Sequence, residues 1–432
     1  MRRTVTLRLL PDRDSENKLK LLCSLSARLW NEINYTRRRA FFEEKKVDLR
    51  STYREFYEKY KALIGSATAQ QILNKNDEAW RGFFFSALKT KREGKLPQFI
   101  RKVNPPGYRK KNSFRELWCV LRNDQYRFKG DQIVFKGLGA IGSIKVRYAG
   151  RVSIRGKQGR AEVRYDSDER KWYIHVAFEV SEKIVKDEWV KIPAKPLGDK
   201  VAGIDIGINN LLAVYMEDGS ALIISGRPLK SISFYWRKRL ADYQSTLNRY
   251  GLKTSMRLRR MYKRWRRQVK DYINWAVRNT VEWLYWRGVS RVIVGYPKYI
   301  AQNSSKSSKI NFEVVHTWTY GYLLMRIAEV GEEYGIRVEL VSEESTSTTC
   351  PLCKAKNQDH KRVYRGLFKC YKHSNVFNAD LVGAFNMLLK AKTIAPSSSL
   401  YGVGVMRLRP GAGLNPARAG NVALNLPRTL AL

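Results

Sequence analysis

Asp205 stands in 201-VAGIDIGINNLLAVY-215, where most of its neighbours are apolar or small. Val201, Ala202, Ile204 and Ile206 suit a strand buried on both faces, and Gly203 and Gly207 let the backbone turn and leave room beside the acid. A carboxylate in a core strand is costly unless a cation or strong hydrogen bonds compensate it. Asp205 is therefore either a metal-binding acid or a structural Asp in a Gly-rich turn. Farther along, Cys350-x2-Cys353 and Cys370-x2-His373 are separated by sixteen residues. Two such knuckles have the spacing of a closed, tetrahedral structural zinc site. The three cysteines are the firmer ligands, with His360 competing with His373 for the fourth position. A closed site leaves no open position for catalysis, so its role is shape and stability. Directly after it, Asn378-Ala379-Asp380 opens a helix carrying Gly383, Ala384 and Asn386. Asp380 is either a second metal ligand or a simple N-cap; the presence of Asp205 favours the ligand.

The elements that must position these residues follow from periodicity. Residues 201–225 read as a hairpin, with Asp218-Gly219 at the turn into the next strand. A first-strand acid in this setting is what a metal-dependent nuclease of the RNase H/RuvC type needs. Residues 231–287 read as two long helices around Gly251. Within the second, Arg257, Arg259, Arg260, Lys263, Arg264, Arg266 and Arg267 wrap most of the surface, while Met261, Trp265 and Val269 keep one apolar stripe. So few acids accompany these charges that a phosphate-tracking face is the better reading than a solvated one. Val292–Val294 form a short buried strand, residues 302–309 a loop, 314–334 a helix and 336–341 another strand. Upstream, residues 4–10 alternate as a strand. Helices follow over 15–46, 50–63 and 67–92, and the run Phe83-Phe84-Phe85 beside Trp80 reads as helix–helix core. A basic Pro/Gly-rich connector (93–112) leads to strands at 115–122, 132–136, 143–148, 160–166 and 171–180, which suggest a small β-barrel that residues 4–10 could join.

Composition narrows the function classes. Lysine and arginine number 82 against 39 acids, a formal net charge of +43 over 432 residues. Such an excess is self-repulsive unless a polyanion neutralises it. Nucleic acid fits better than membrane, because no apolar run is long enough to span a bilayer and no signal peptide is apparent. The 11 Trp and 24 Tyr interleave with the basic residues, as on surfaces that stack on bases and grip phosphates. Five cysteines, three of them clustered, argue for an intracellular metal site and two buried thiols, Cys23 and Cys119, rather than a disulfide framework. A cytoplasmic location is expected.

Asp205 in GIDIGINNLLAVY, the TSTTCPLC segment and the NADLVGAFN segment together resemble TnpB, the RNA-guided nuclease family of insertion sequences from which compact type V CRISPR effectors derive. The match is specific over about residues 200–390, and upstream it is one of layout. The resemblance implies a multidomain α+β chain: a RuvC/RNase H-like α/β nuclease domain with an inserted zinc ribbon, and an N-terminal β-barrel (wedge) interrupted by a helical recognition domain. The expected boundaries are 1–12 with 113–190 for the wedge and 13–112 for the recognition helices. The nuclease takes 200–345 with 375–391, the knuckle 346–374, and a flexible tail 392–432. The resemblance also implies a carboxylate triad binding two divalent ions, Mg²⁺ or Mn²⁺, beside the Zn²⁺ of the knuckle. Asp205 matches the first acid and Asp380 the last. The middle strand reads 292-VIVGYPK-298, with no acid where the family commonly has a Glu. The relocated acid is then Glu343, with Glu344 as its neighbour, at the end of strand 336–341.

The function expected on this basis is RNA-guided cleavage of double-stranded DNA next to a short duplex motif, with guide RNA and target DNA as partners. The basic helices would hold the guide–target heteroduplex by its backbone, and the 302–309 loop is a candidate lid. The alternatives are a guided DNA-binding repressor without cleavage, suggested by the missing acid at 292–298, and a transposition-associated DNA-processing enzyme. Oligomeric state is left open.

Overall fold

The strand expected at residues 4–10 extends over Arg2–Leu10 (β1), with Leu7 and Leu9 buried by its alternation. In the computed structural model the described residues are 1–89, 93, 103–111, 114–185, 187–296, 319–343, 346, 348–353, 360–364, 366–391 and 405–408. They fall in two units, Met1–Lys191 and Ile192–Leu432. Among them, no helix is long and apolar enough to cross a membrane.

In the first unit, β1 is followed by helices α1 (Arg13–Phe42), α2 (Leu49–Ile64) and α3 (Ser66–Gly82). Strands then run as β2 (Trp118–Leu121), β3 (Tyr126–Lys129), β4 (Gln132–Phe135), β5 (Ile144–Ala149), β6 (Ile154–Asp166), β7 (Lys171–Val185) and β8 (Glu188–Lys191). The pairing order is β2-β6-β7-β1-β5-β4-β3, with β8 also on β7. Only residues 122–125 join the two end strands, so the sheet curls back on itself as a nearly closed barrel. The barrel is thus completed by a strand that precedes the helices. β3 and β8 lie outside the strands expected from periodicity. Asp12 caps α1 by accepting from Ser15 N at 2.8 Å. The buried Arg37 meets Asp77 at 2.7 Å and ties α1 to α3. Cys23 and Cys119 are both buried and free of disulfides. The aromatic run departs from the expected core: Phe83 is buried, but Phe85 is 75% exposed. There α3 gives way to a π-turn over Phe83–Leu88, which breaks the helical phase.

The second unit is built on a six-stranded sheet. Its strands are β9 (Lys200–Ile206), β10 (Asn210–Met216), β11 (Ala221–Ser225), β12 (Val289–Tyr296) and β13 (Arg337–Ser342), with β17 (Val405–Leu408) at one edge. The order is β13-β12-β9-β10-β11-β17. β9, β10 and β11 form an antiparallel meander, whereas β9, β12 and β13 are parallel. Helices α4 (Arg227–Arg249), α5 (Met256–Trp286) and α6 (Tyr320–Glu333) intervene, and α7 (Ala379–Ala391) follows the three-stranded ribbon β14 (His360–Tyr364), β15 (Leu367–Cys370) and β16 (Asn375–Asn378).

Period two sorts the two faces of this sheet. Ala202, Ile204, Ile206, Val292 and Val294 join a core with Ile273, Val277 and Leu284 of α5 and Leu323 and Ile327 of α6. Val201, Ala213, Tyr215 and Ile293 pack instead with Leu381, Ala384, Phe385 and Leu388 of α7. Asp205, two residues from Gly203 and four from Val201, therefore belongs to the α7 face. A Cβ at Gly203 would stand 2.1 Å from the Ala384 carbonyl oxygen, so glycine is what lets α7 lie directly on β9. Gly203 thus makes room for a helix, not for the acid as its spacing had suggested.

Residues 392–432, expected as a flexible tail, contribute β17. Its residues pair in parallel with Ala221–Ile224, giving the backbone of that buried strand a hydrogen-bonded neighbour. The 302–309 loop and Glu344 lie outside the described residues.

Candidate active site and zinc knuckle

The strand register brings Asp205 and Glu343 together. Ile204 is level with Val294, and Gly295 is level with Val341. Asp205, Gly295 and Val341 therefore lie in one row across three strands, and Glu343 is two residues further along, on the same face as Val341. The middle position of that row is glycine, and this is where the sequence has no acid. A Cβ at Gly295 would lie 2.7 Å from Glu343 Cγ and 2.9 Å from its Oε1, so the side chain of Glu343 occupies the space that a residue at 295 would fill. From above, a Cβ at Gly383 of α7 would lie 2.9 Å from Asp205 Cγ and Oδ2. Two glycines, one on a strand and one on a helix, thus clear the space in which the two acids meet. Neither clearance could be assigned from composition alone.

The electrostatics of this arrangement are unfavourable without a cation. Glu343 Oε1 is buried and has no hydrogen-bond partner. Burial, then the neighbouring charge of Asp205, push the Glu343 carboxyl up to about 8, with Lys390 pulling the other way. Tyr320 opens α6 and donates to the Gly295 carbonyl at 2.6 Å. Its hydroxyl is raised well above its ordinary range by burial and then by Glu343, Tyr296 and Asp205, so it faces the same acids.

Asp380 sits one turn before Gly383, on the same side of α7. It is not the helix cap. Asn378 Oδ1 caps α7 by accepting from the N–H groups of Asp380 and Leu381 at 3.0 and 3.2 Å. The Asp380 carboxylate instead accepts from Asn210 Nδ2 at 2.7 Å, at the start of β10. The sequence marked Asp380 but gave no sign that Asn210 would orient it.

The knuckle is a separate cluster. The Sγ atoms of Cys350, Cys353 and Cys370 all lie within 4.8 Å of one another, and those of Cys353 and Cys370 are 3.7 Å apart. His373 Nδ1 is 3.2 Å from Cys353 Sγ and 3.4 Å from Cys370 Sγ. With Zn–S near 2.3 Å and Zn–N near 2.0 Å, a tetrahedron has S–S edges of about 3.8 Å and S–N edges of about 3.5 Å. The donor set therefore fits a zinc ion. Massing thiols without one is unfavourable: desolvation and the other two cysteines push the Cys353 thiol up to about 12. His360 is on β14, level with Cys370 in the ribbon; its side chain lies outside what is described.

On α5, Arg257, Arg260, Arg264, Arg266 and Arg267 are exposed, whereas Arg259 and Lys263 are half-buried. Leu258, with Met261 and Trp265, packs toward Trp236, Leu240 and Leu247 of α4. Met261 and Trp265 of the expected stripe thus join the two helices, whereas Val269 packs into the sheet core, and the exposed arginines project from the remaining faces. The Arg257 guanidinium lies over the Tyr243 ring at 4.9 Å.

The sheet order, with α7 laid over its first strand and a zinc knuckle inserted just before that helix, defines a RuvC-type member of the RNase H-like nuclease folds. A family model described as "Probable transposase" matches residues 174–301, and one for the TNB domain of Cas12f1-like proteins matches 320–387. The chain is 38% identical over 411 residues to a TnpB-like protein of the Acidianus two-tailed virus, covering 90% of this chain and 87% of that protein. A second TnpB-like protein, from Methanocaldococcus jannaschii, is 24% identical over 226 residues, 50% of this chain and 80% of the relative. This chain belongs to the TnpB-like family. Among solved structures, that of a Cas12f1–sgRNA–target DNA complex matches 90% of this chain and 98% of its own with a TM-score of 0.61 at 14% identity. The mini-RNA-guided endonuclease CRISPR-Cas_phi3 matches with a TM-score of 0.50 at 9% identity, covering 92% and 93%. At such identities these two likenesses speak for the fold alone.

Proposed function

We propose that this chain is an RNA-guided DNA endonuclease associated with a transposable element, with Asp205, Glu343 and Asp380 as its catalytic carboxylates. The observation that carries this reading is the meeting of Glu343 with Asp205 in a space cleared by Gly295 and Gly383, with one carboxylate oxygen left buried and unpartnered. A half-buried pair of carboxylates of this kind is stabilised when a divalent cation lies between them. Mg²⁺ or Mn²⁺ held there would supply an activated water and stabilise the leaving oxygen of a phosphodiester. The residues hold and orient: Asp205 from the sheet, Glu343 from the end of β13, and Asp380 from the first turn of α7, fixed by Asn210. Cys350, Cys353, Cys370 and His373 would hold Zn²⁺ in a closed structural site.

The guide–target heteroduplex is held by its backbone, with Arg257, Arg259, Arg260, Lys263, Arg264, Arg266 and Arg267 of α5 contributing phosphate contacts. The barrel of the first unit, with helices inserted after its first strand, corresponds in layout to a wedge and recognition region. It takes the role of reading a short duplex motif beside the target. The net charge of +43 supports a polyanionic partner of this size.

The test is to sequence the RNA that co-purifies with the chain and to use it as guide for cleavage of a matched plasmid in Mg²⁺. Guide-dependent cutting that disappears in Asp205→Ala supports the reading. Guide-dependent binding with no cutting across a library of adjacent motifs would overturn it in favour of a guided repressor.

A further inference from the structure

Helix α7 carries two residues on the side opposite in sequence to Asp380 that reach the segment bearing Glu343. Lys390 Nζ donates to the Ser342 carbonyl at 2.7 Å. Asn386, buried, donates through Nδ2 to the carbonyls of Thr346 at 2.6 Å and Thr349 at 2.8 Å. The two residues are four apart and so share one face of the helix. Thr346 closes the turn back onto Glu343: its N–H and its hydroxyl donate to the Glu343 carbonyl at 3.1 and 2.8 Å. Thr349 immediately precedes the zinc ligand Cys350.

We propose that Asn386 and Lys390 are positioning residues that hold the backbone on both sides of Glu343, set its carboxyl against Asp205, and couple that placement to the zinc knuckle. The inference rests on the reading of Asp205, Glu343 and Asp380 as a divalent-cation site. Glu343 Oε1 has no hydrogen bond of its own to orient it, so its placement depends on where the strand end is held. Ser342, Thr346 and Thr349 are all held from α7, the helix whose Gly383 also admits Asp205. One helix thereby registers two acids that lie far apart in sequence.

Lys390 also permits a test by sign. As a mere charge near a cation site, its removal would tighten cation binding. As a positioning residue, its removal weakens it. The experiment follows the melting temperature of the full-length, zinc-loaded chain against Mn²⁺ concentration for wild type, Asp205→Ala, Lys390→Met, Lys390→Arg and Asn386→Ser. Wild type should gain stability with Mn²⁺ and Asp205→Ala should not. Lys390→Met should need about tenfold more Mn²⁺ for the same gain, as loss of an outer-shell support typically requires. Its metal-free melting temperature and zinc content should stay at the wild-type values. Lys390→Arg should restore the wild-type response. Asn386→Ser should weaken Mn²⁺ binding further; if it fails to retain zinc or to fold, Lys390→Met decides alone. Unchanged or tighter Mn²⁺ binding in Lys390→Met, beside a normal wild-type response, overturns the positioning role and leaves the cation site intact. No response to Mn²⁺ in wild type overturns both.

Discussion

The knuckle takes its donors from Cys350 to His373, a short stretch held by its own ribbon, whereas Asp205 and Glu343 come together only when the sheet assembles, and the Asp380 carboxylate, on the helix laid over it, is turned to Asn210. The knuckle has local geometry and no open position. The carboxylate centre has non-local geometry, a buried oxygen without a partner, and an acid pushed up to about 8. The proposed structural site and the proposed reactive site thus lie on one unit.

The largest effect should come from breaking the reactive side. Asp205→Ala and Asp380→Ala should each reduce guided DNA cleavage by about a thousandfold or more, by analogy with loss of a residue stabilising transition-state charge. Guide RNA binding, measured by filter retention, should remain. On the other side, Cys350→Ser should remove bound zinc, read by metal analysis. The second unit should then melt on the order of 10 °C lower, since structural zinc binding is folding free energy. A full loss of zinc with no change in melting would break the contrast, for the knuckle would then carry no stability.

A subtler prediction concerns Glu343. Its folded carboxyl titrates near 8, above the ordinary value of 4.5, so the metal-free protein holds a proton there that the unfolded chain has already released. The associated stability is present below about pH 4.5 and is lost as pH rises through about 8. Glu343→Gln should abolish that decline and raise the metal-free melting temperature at pH 8 by about a few degrees. It should also remove the stabilisation by Mg²⁺. Denaturation followed across pH with and without Mg²⁺ measures both. Truncation after residue 395 removes β17 from the sheet edge. It should cost about 2–4 °C in melting temperature while guided cleavage persists. The smallest effect should be Arg264→Ala on α5. It should weaken nucleic-acid binding a few-fold and reduce the salt dependence of log K by about 0.9, one phosphate's share for duplex DNA.

The sequence made these two centres legible to different degrees. The cysteine spacing is local, so its three thiols could be read directly. Asp205 stood out because one acid broke an apolar strand. Glu343 could be nominated only through the family resemblance, because nothing in VSEESTS distinguishes a strand-end acid from a surface one. Its distinction is the register that sets it beside Gly295. Gly203 was read as room for the acid, but that room comes from Gly383, on a helix that packs from a remote part of the chain. The barrel's closure was half visible: alternation marked most strands, whereas β3 and β8 are short and gave too little pattern. In the 392–432 tail, Gly, Pro and Ser suggested an extension without structure and hid the four-residue β17, which depends on the edge of β11 for its pairing.

The most direct test of the central claim, that Glu343 is the acid that completes the site, is guided plasmid cleavage in Mg²⁺ by wild type, Asp205→Ala, Glu343→Gln and Glu339→Gln. Glu339 lies on the same strand but pairs with Arg291 at 2.6 Å, away from the acids. Cutting lost in Asp205→Ala and Glu343→Gln and retained in Glu339→Gln is the predicted result. Full guided cutting by Glu343→Gln, with Asp205→Ala inactive, would contradict it and place the second acid elsewhere.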